Sequence, residues 1–161
     1  MTTSLDVSPP LEPSPGAGWT LRPLADAGQG VRAYAAVPRG GGAPVELRLH
    51  RVQHHPLRAC YPYGAHDIAV GLVLPDLTEA GQDLAGRLLK NLVPALFSAD
   101  PLCRRVVAAP AEEDIAAQSV FEAGGFRRVT EVDLSDGSVV LFAAEPPRIT
   151  DLPTALDDMP H

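Results

Sequence analysis

Short apolar and alternating stretches, separated by glycine and proline, make up the first half of the chain. Residues 45–52, VELRLHRV, place valine and leucine at every second position, which is the period of a half-buried strand. Residues 67–74, DIAVGLVL, are almost wholly apolar, as expected for a central strand covered on both faces. The glycine-rich stretch 38–44 is typical of a hairpin turn. The strands predicted for this half are 19–24, 31–37, 45–52 and 67–74.

A helical period replaces the alternation after residue 77. Leucines recur at steps of three and four residues, and Thr78 with Glu79 forms an N-terminal cap signal. Pro94 removes a backbone hydrogen bond, so we expect a kink or an end near Val93. The leucines of this apolar face are Leu84, Leu88, Leu89, Leu92 and Leu96.

Residues 104–126, RRVVAAPAEEDIAAQSVFEAGGF, predict a strand, a turn and a second helix. The strand covers 105–109 and ends at Pro110, and the acidic run 112–114 favours a helix N-terminus. Gly124 and Gly125 supply the positive φ that closes a helix. A final hairpin is predicted from 126–134 and 139–144, because Asp-Gly between them suits a type I′ turn.

The elements therefore run β-β-β-β-α-β-α-β-β, a mixed α/β fold. A strand, a helix and a second buried strand require a parallel pair with a crossover, so the sheet is antiparallel at its ends and parallel at its centre, with few helices. Proline-rich, polar composition predicts a disordered arm over 1–17 and a disordered tail over 146–161, which leaves a single domain over 18–145.

Charge and cysteine content exclude several classes of function. The net charge is −7 over 161 residues without an extended basic patch, which disfavours nucleic acid. No apolar run approaches the length of a membrane span and no signal-peptide pattern is present, so we expect a cytoplasmic protein that does not enter membranes. The two cysteines and the histidines lack metal-ligand spacing, so no metal and no disulfide are predicted.

The strand running into Pro110 and the helix ending in Gly-Gly-Phe resemble the acyl-CoA-binding core of the GNAT superfamily, the Gcn5-related N-acetyltransferases. Residues 64–66 (GAH), 97–101 (FSADP) and 121–126 (FEAGGF) resemble the siderophore-biosynthesis branch, which acylates N-hydroxylated lysine or a related amine. The resemblance covers about half the chain. It implies that two parallel strands, ending near Leu74 and Ala109, splay to admit a thioester arm.

The resemblance also implies an acyl-CoA site at the strand end and the start of the first helix. The family pattern Arg/Gln-x-x-Gly-x-Gly/Ala is changed here, because Ala80 replaces the basic or amide residue and Asp83 replaces the middle glycine. Three outcomes stay open: Asp83 turns outward and the donor is acetyl-CoA or another acyl-CoA, the donor is an acyl carrier protein without a pyrophosphate, or the site is inactive. The predicted donor-binding residues are Leu72, Val73, Leu74, Gly81, Gln82, Asp83, Leu84, Ala85 and Gly86.

His66 and Asp114 are the predicted catalytic residues, by resemblance and by chemistry. Attack of an amine on a thioester needs a proton acceptor, and imidazole titrates near neutral pH. Asp114 would orient the amine or the imidazole from a helix start. For each residue the alternative is structural, a solvated histidine and a helix cap. Phe121 stands where many members of the family have a proton-donating tyrosine.

These observations predict an N-acyltransferase of siderophore-like or other specialised metabolism, with a small-molecule amine or hydroxylamine as acceptor. Only residues 25–30 separate the first two strands, whereas family members insert two helices that wall the acceptor pocket there. That open wall, with Ala80 and Asp83, favours the alternative of a non-catalytic GNAT-like binding module. An acyl carrier protein and a second copy of the chain are the further partners considered.

Overall fold

The computed structural model describes residues 15–16, 18–24, 31–59, 62–74 and 78–146. The strands are β1 (Trp19–Leu24), β2 (Val31–Pro38), β3 (Val45–Arg51), β4 (Ile68–Val73), β5 (Val106–Ala108), β6 (Arg127–Leu134) and β7 (Gly137–Ala144). The helices are α1 (Glu79–Ala99) and α2 (Ile115–Ala123), and two 3-10 turns, Val52–His54 and Pro56–Ala59, follow β3. The predicted arm and tail lie almost entirely outside the described residues.

The seven described strands form one mixed sheet in the order β1-β2-β3-β4-β5-β7-β6. Every neighbouring pair is antiparallel except β4 and β5, which are parallel. The predicted mixed α/β fold, with antiparallel ends and a central parallel pair, is confirmed. Within the last hairpin, Leu134 pairs with Gly137, so the connection is residues 135–136 and the glycine already belongs to β7.

Both helices pack on one face of the sheet, called here the helix face. The alternation in β3 explains this, since Leu47 and Leu49 are fully buried beneath α1. The helices also contact each other closely, because a Cβ added at Gly124 would lie 2.6 Å from the Cβ of Leu89. Glycine at this position therefore sets the spacing of α1 and α2.

The opposite side of the sheet is called here the open face. Cross-strand partners point to the same face, so this face carries the β3 residues Glu46, Arg48 and His50 with their β4 partners Val73, Gly71 and Ala69. The 3-10 segment covers only part of it. Val52 and Leu57 pack there in a small apolar cluster with Ala69 and Val107, and with Leu141 and Ala143 of β7.

Helix α1 extends beyond Val93, near which the sequence predicted either a kink or an end of the helix. Thr78 caps it as expected, its Oγ1 accepting the Gly81 N–H at 3.2 Å. The helix does not end near Val93 but continues through Pro94 to Ala99. Leu96 beyond the proline is fully buried, and this burial offsets the hydrogen bond that Pro94 cannot donate.

Candidate active site

The parallel strands part after two residue pairs. β4 and β5 pair only at Ile68 with Val106 and at Ala69 with Val107. β4 continues to Val73, so four residues beyond Ala69, about 13 Å at ~3.3 Å per residue, have no strand partner on the β5 side among the described residues. The splay predicted from the family resemblance is present.

The chain after β5 leaves β4 because it follows β7. The Val140 N–H donates to the Pro110 carbonyl at 2.9 Å, and the pairing of this segment with β7 continues to Ala111. Gln118 of α2 fixes the same segment, donating its side-chain amide to the carbonyls of Ala111 at 3.0 Å and Glu112 at 2.8 Å. Gln118 is only 7% exposed. The opening between the strands is therefore held by hydrogen bonds.

A cavity of about 250 Å³ lies at this end of β4. Because β3 is antiparallel to β4, the turn before β3 and the carboxyl end of β4 lie at the same end of these two strands, next to the start of α1. The cavity is lined by Gly41, Gly42, Ala43, Val45, Leu74, Ala80, Gly81, Leu84 and Arg87.

The start of α1 and Arg87 make the cavity favourable for an anion. The side-chain oxygen of Thr78 accepts the Gly81 N–H, and the Thr78 carbonyl accepts the Gln82 N–H. The amides of Glu79 and Ala80 come before these two at the helix terminus, where the helix dipole is positive. Arg87 lines the cavity two turns further along, and its guanidinium makes no ion pair within the described chain. A basic residue is thus present, although Ala80 replaces the one expected.

Three of the predicted donor-binding residues line the cavity: Leu74, Gly81 and Leu84. Asp83 is exposed and is not among the lining residues. This arrangement agrees with the first of the three outcomes for Asp83, an outward carboxylate.

The other predicted donor-binding residues lie outside the cavity lining. Ala85 is fully buried, and a Cβ added at Gly86 would lie 3.3 Å from that of Ala123, so both positions face the helix packing. Leu72 packs against the main core, and Val73 is 48% exposed on the open face. The Gln82 N–H donates a hydrogen bond to the Thr78 carbonyl at 2.9 Å.

The structure places His66 and Asp114 at opposite ends of the parallel pair. His66 precedes β4 and Asp114 follows β5, so the first lies at the amino end and the second at the carboxyl end, beside the splay. Asp114 caps α2, its Oδ1 accepting the Ala117 N–H at 3.1 Å. The two predicted catalytic side chains are therefore not brought together.

His66 belongs to a polar cluster that closes the amino end. Its Nδ1 lies 2.8 Å from Asp100 Oδ2, and Arg51 Nη1 donates to the same oxygen at 2.8 Å and to the His66 carbonyl at 2.8 Å. Asp67, 1% exposed, accepts the N–H groups of Gly64 at 2.9 Å and Arg105 at 3.2 Å. These bonds join β3, β4, the end of α1 and the start of β5.

Electrostatics in this cluster follow from the contacts. Burial raises the pKa of Asp100, but hydrogen bonds from His66, Arg51 and the Leu102 N–H outweigh it and hold that pKa below its usual value. Burial, followed by the charges of Asp67 and Asp100, raises the pKa of Cys103 to about 12. Its thiol is therefore protonated at neutral pH and is a poor nucleophile.

Sequence reasoning missed the glycine-rich turn, Arg87 and Gln118 as parts of the site. The turn carried a usable signal, since antiparallel pairing of the third and fourth strands places it beside the helix start. Arg87 lies one residue before the apolar pair Leu88 and Leu89, and its helix position indicates no more than a solvated cation. Gln118 could not be recognised from the sequence, because its role depends on the path that residues 110–112 take in the fold.

The described residues include neither a candidate metal site nor a candidate membrane-spanning helix. Histidine, cysteine and acidic side chains do not gather there in groups of three or more that could hold a metal. None of the described helices combines the length and apolar character needed to cross a membrane.

Residues 41–134 match the family model described as the acetyltransferase (GNAT) domain. The match begins in the glycine-rich turn, includes the splay and both helices, and extends over more than half the chain. The chain therefore belongs to the GNAT acetyltransferase domain family.

Individual relatives are more distant. The lysine N-acyltransferase MbtK of Mycobacterium sp. (strain MCS) is 28% identical over 103 residues, which is 64% of this chain and 42% of that protein. The chain thus spans less than half the length of this curated relative. An uncharacterized protein from Bacillus halodurans superposes with a TM-score of 0.64 at 24% identity, covering 74% of this chain and 61% of the other.

The aminoglycoside acetyltransferase AAC(6′)-Ib, solved with coenzyme A and kanamycin, shares the fold at a TM-score of 0.64 and 19% identity, covering 76% of this chain and 70% of the other. At less than 25% identity, these two structures show that the chain shares their fold.

Proposed function

We propose that this chain is an N-acyltransferase that moves an acyl group from acetyl-CoA, or another acyl-CoA, to a small-molecule amine. The observation that carries the proposal is the held opening between β4 and β5, together with the cavity beside the end of β4. A pantetheine arm is narrow and extended, and it suits a slot whose walls are two strand edges. The helix start and Arg87 suit the phosphates at the other end of the same ligand.

The acceptor is a primary amine or hydroxylamine of the kind found in siderophore-like or other specialised pathways. MbtK is named as a lysine N-acyltransferase and AAC(6′)-Ib as an aminoglycoside acetyltransferase, so related chains act on amines of different size. Only six residues, 25–30, join β1 to β2 here, which supports an acceptor site that is open on that side. Asp114, beside the splay, is the candidate to orient the amine.

Calorimetry with acetyl-CoA and CoA tests the donor. We expect micromolar binding, because the cavity combines a helix start, a cation and apolar walls. The chain should also release free CoA thiol when L-lysine is added with acetyl-CoA.

An absence of heat at millimolar CoA would contradict an acyl-CoA donor. It would favour instead either a carrier-protein donor, whose arm has a single phosphodiester, or a non-catalytic binding module. Binding of CoA without thiol release from any of several amines would favour the binding module alone.

A further inference from the structure

Acyl transfer to an amine needs a group that takes a proton from the attacking nitrogen. Each predicted catalytic residue already makes a structural contact. His66 lies at the amino end with its Nδ1 bonded to Asp100, and Asp114 uses one carboxylate oxygen to cap α2. The open face carries another candidate proton acceptor.

The amine must reach the splay from the open face. On the helix face, the space behind β4 and β5 is filled by α1 and α2, whose side chains Leu88, Leu92 and Val120 are at most 1% exposed. On the open face, Leu57 and Val52 cover the paired part of the strands, at Ala69 and Val107. Gly71 and Val73 lie beyond this apolar cover and leave the splayed part accessible.

His50 stands at the boundary between the covered and the accessible parts of the open face. Its cross-strand partner is Ala69, and Ala69 pairs on its other side with Val107, the last pair before the splay. Two strand spacings of ~4.8 Å separate β3 from β5, so the imidazole lies within about 10 Å of the opening. A side chain and one bridging water span that distance.

His55 holds the His50 ring in place. The two rings meet edge to face, with centroids 5.0 Å apart and an angle of 87° between their planes. The Leu57 N–H donates to His55 Nδ1 at 3.1 Å, so the proton of the neutral His55 ring is on Nε2. The neighbouring ring is thus fixed by the same 3-10 segment that covers the strands.

The surroundings keep His50 neutral. Burial, and then the positive charge of Arg48, lower the pKa of His50 below the usual value for histidine. Burial and His50 itself lower the pKa of His55 to about 4. The cross-strand neighbours of His50 on β2 and β4 are Val31 and Ala69, which carry no charge.

Glu46, two positions beyond Arg48 on the same face, pairs with the Arg48 guanidinium. Arg48 is the charged side chain that lowers the pKa of His50. At neutral pH the imidazole is therefore in the form that accepts a proton.

We infer that His50 is the proton acceptor for acyl transfer at the splay, an inference that rests on the proposed function. The lone pair of the acceptor nitrogen forms a bond to the thioester carbonyl carbon, and one N–H proton passes to the His50 imidazole. The C–S bond then breaks, the amide forms, and the CoA thiolate takes a proton from the imidazolium or from water.

The test compares His50→Gln with the wild type in acetyl-CoA-dependent release of CoA thiol, with L-lysine as acceptor, between pH 5 and 9. We expect the variant to lose roughly 100-fold in kcat at pH 7.5, since a proton acceptor contributes ~10²–10⁴. The KM for acetyl-CoA should stay unchanged. The ratio of the two rates should approach one as the pH falls below the pKa of His50, because the wild-type imidazole is then protonated.

Two controls separate the possible failures. Binding of acetyl-CoA to His50→Gln by calorimetry shows whether the variant is folded, and His66→Gln should retain the pH dependence of the wild type at whatever rate it shows. An active wild type with His50→Gln within threefold at every pH would overturn this inference alone. A wild type that binds acetyl-CoA but acylates neither L-lysine nor hydroxylamine would overturn the proposed function and this inference with it.

Discussion

At the amino end of the β4–β5 pair, charged side chains tie β3, β4 and the end of α1 together, whereas at the carboxyl end β5 turns away and follows β7. Arg51 and Asp100, which make the bridge, are 5% and 4% exposed. The carboxyl end has a cavity, an exposed Val73 and the glycine-rich turn instead. The same two strands are thus closed by buried charges at one end and left apart at the other.

The comparison explains how a slot can exist in the middle of a sheet. Separating two strands leaves backbone groups without strand partners, and this cost must be met by the rest of the fold. The buried cluster fixes the register of β4 against β5 where they do pair, and Gln118 fixes the departing segment. One end therefore supplies rigidity, and the other is free to hold a ligand.

Removing the buried bridge is expected to have the largest effect. Asp100→Ala leaves the Arg51 guanidinium with the His66 carbonyl alone among the described residues, because Arg51 Nε and Nη2 have no hydrogen-bond partner there. We expect a loss of about 3–5 kcal/mol in the free energy of unfolding. Denaturant titration measures it, and Glu131→Ala, which removes an exposed pair with Arg128, should cost less than ~1 kcal/mol.

Acid should reproduce part of this loss. The folded-state pKa of Asp100 lies below the usual aspartate value of 3.8, so its stabilising contribution is complete above pH 3.8 and is lost as the pH falls through the lower folded-state value. Asp100→Asn should show a shallower fall in stability below pH 4. Equal acid profiles for the variant and the wild type would show that Asp100 does not link stability to pH.

At the carboxyl end of the β4–β5 pair, the expected effect is on ligand binding and not on stability. Arg87→Gln removes the cation that lines the cavity, and we expect CoA affinity to fall roughly tenfold, about 1.4 kcal/mol. Lys90→Gln is the matched control, since Lys90 is an exposed cation of the same helix outside the cavity lining. Similar losses for both variants in calorimetry would mean that general charge, and not the Arg87 position, attracts the ligand.

Much of the fold could be predicted because each strand carries its own pattern. The alternation in β3 and the continuous apolar run of β4 depend on local burial, and both strands form within a residue or two of the prediction. The length of α1 could not be predicted in this way. The burial of Leu96 and the Asp100 bridge lie beyond Pro94 and depend on tertiary contacts that override a local helix breaker.

The site was harder to predict because its residues meet only through topology. His66 resembled a catalytic residue by its place before a strand, but a residue before β4 and one after β5 must lie at opposite ends of a parallel pair. The same rule, applied to the predicted strands, would have separated His66 from Asp114. The contact between His50 and His55 depends on the fold of the 3-10 segment, which has no periodic pattern to reveal it.

The smallest expected effect, and the most discriminating test of the carboxyl end of the β4–β5 pair, concerns Asp83. Its carboxylate is exposed and outside the cavity lining, so water and salt should screen most of its repulsion toward the phosphates of CoA. We expect Asp83→Asn to tighten CoA binding by no more than roughly threefold at low salt, the scale of an exposed charge interaction. The gain should vanish at high ionic strength, and Glu122→Gln on α2 should show none. A gain above tenfold that persists in salt would mean that the carboxylate turns into the cavity. In that case the Asp83 carboxylate repels the phosphates of CoA within the cavity, and an acyl donor with fewer phosphates would bind there better than CoA.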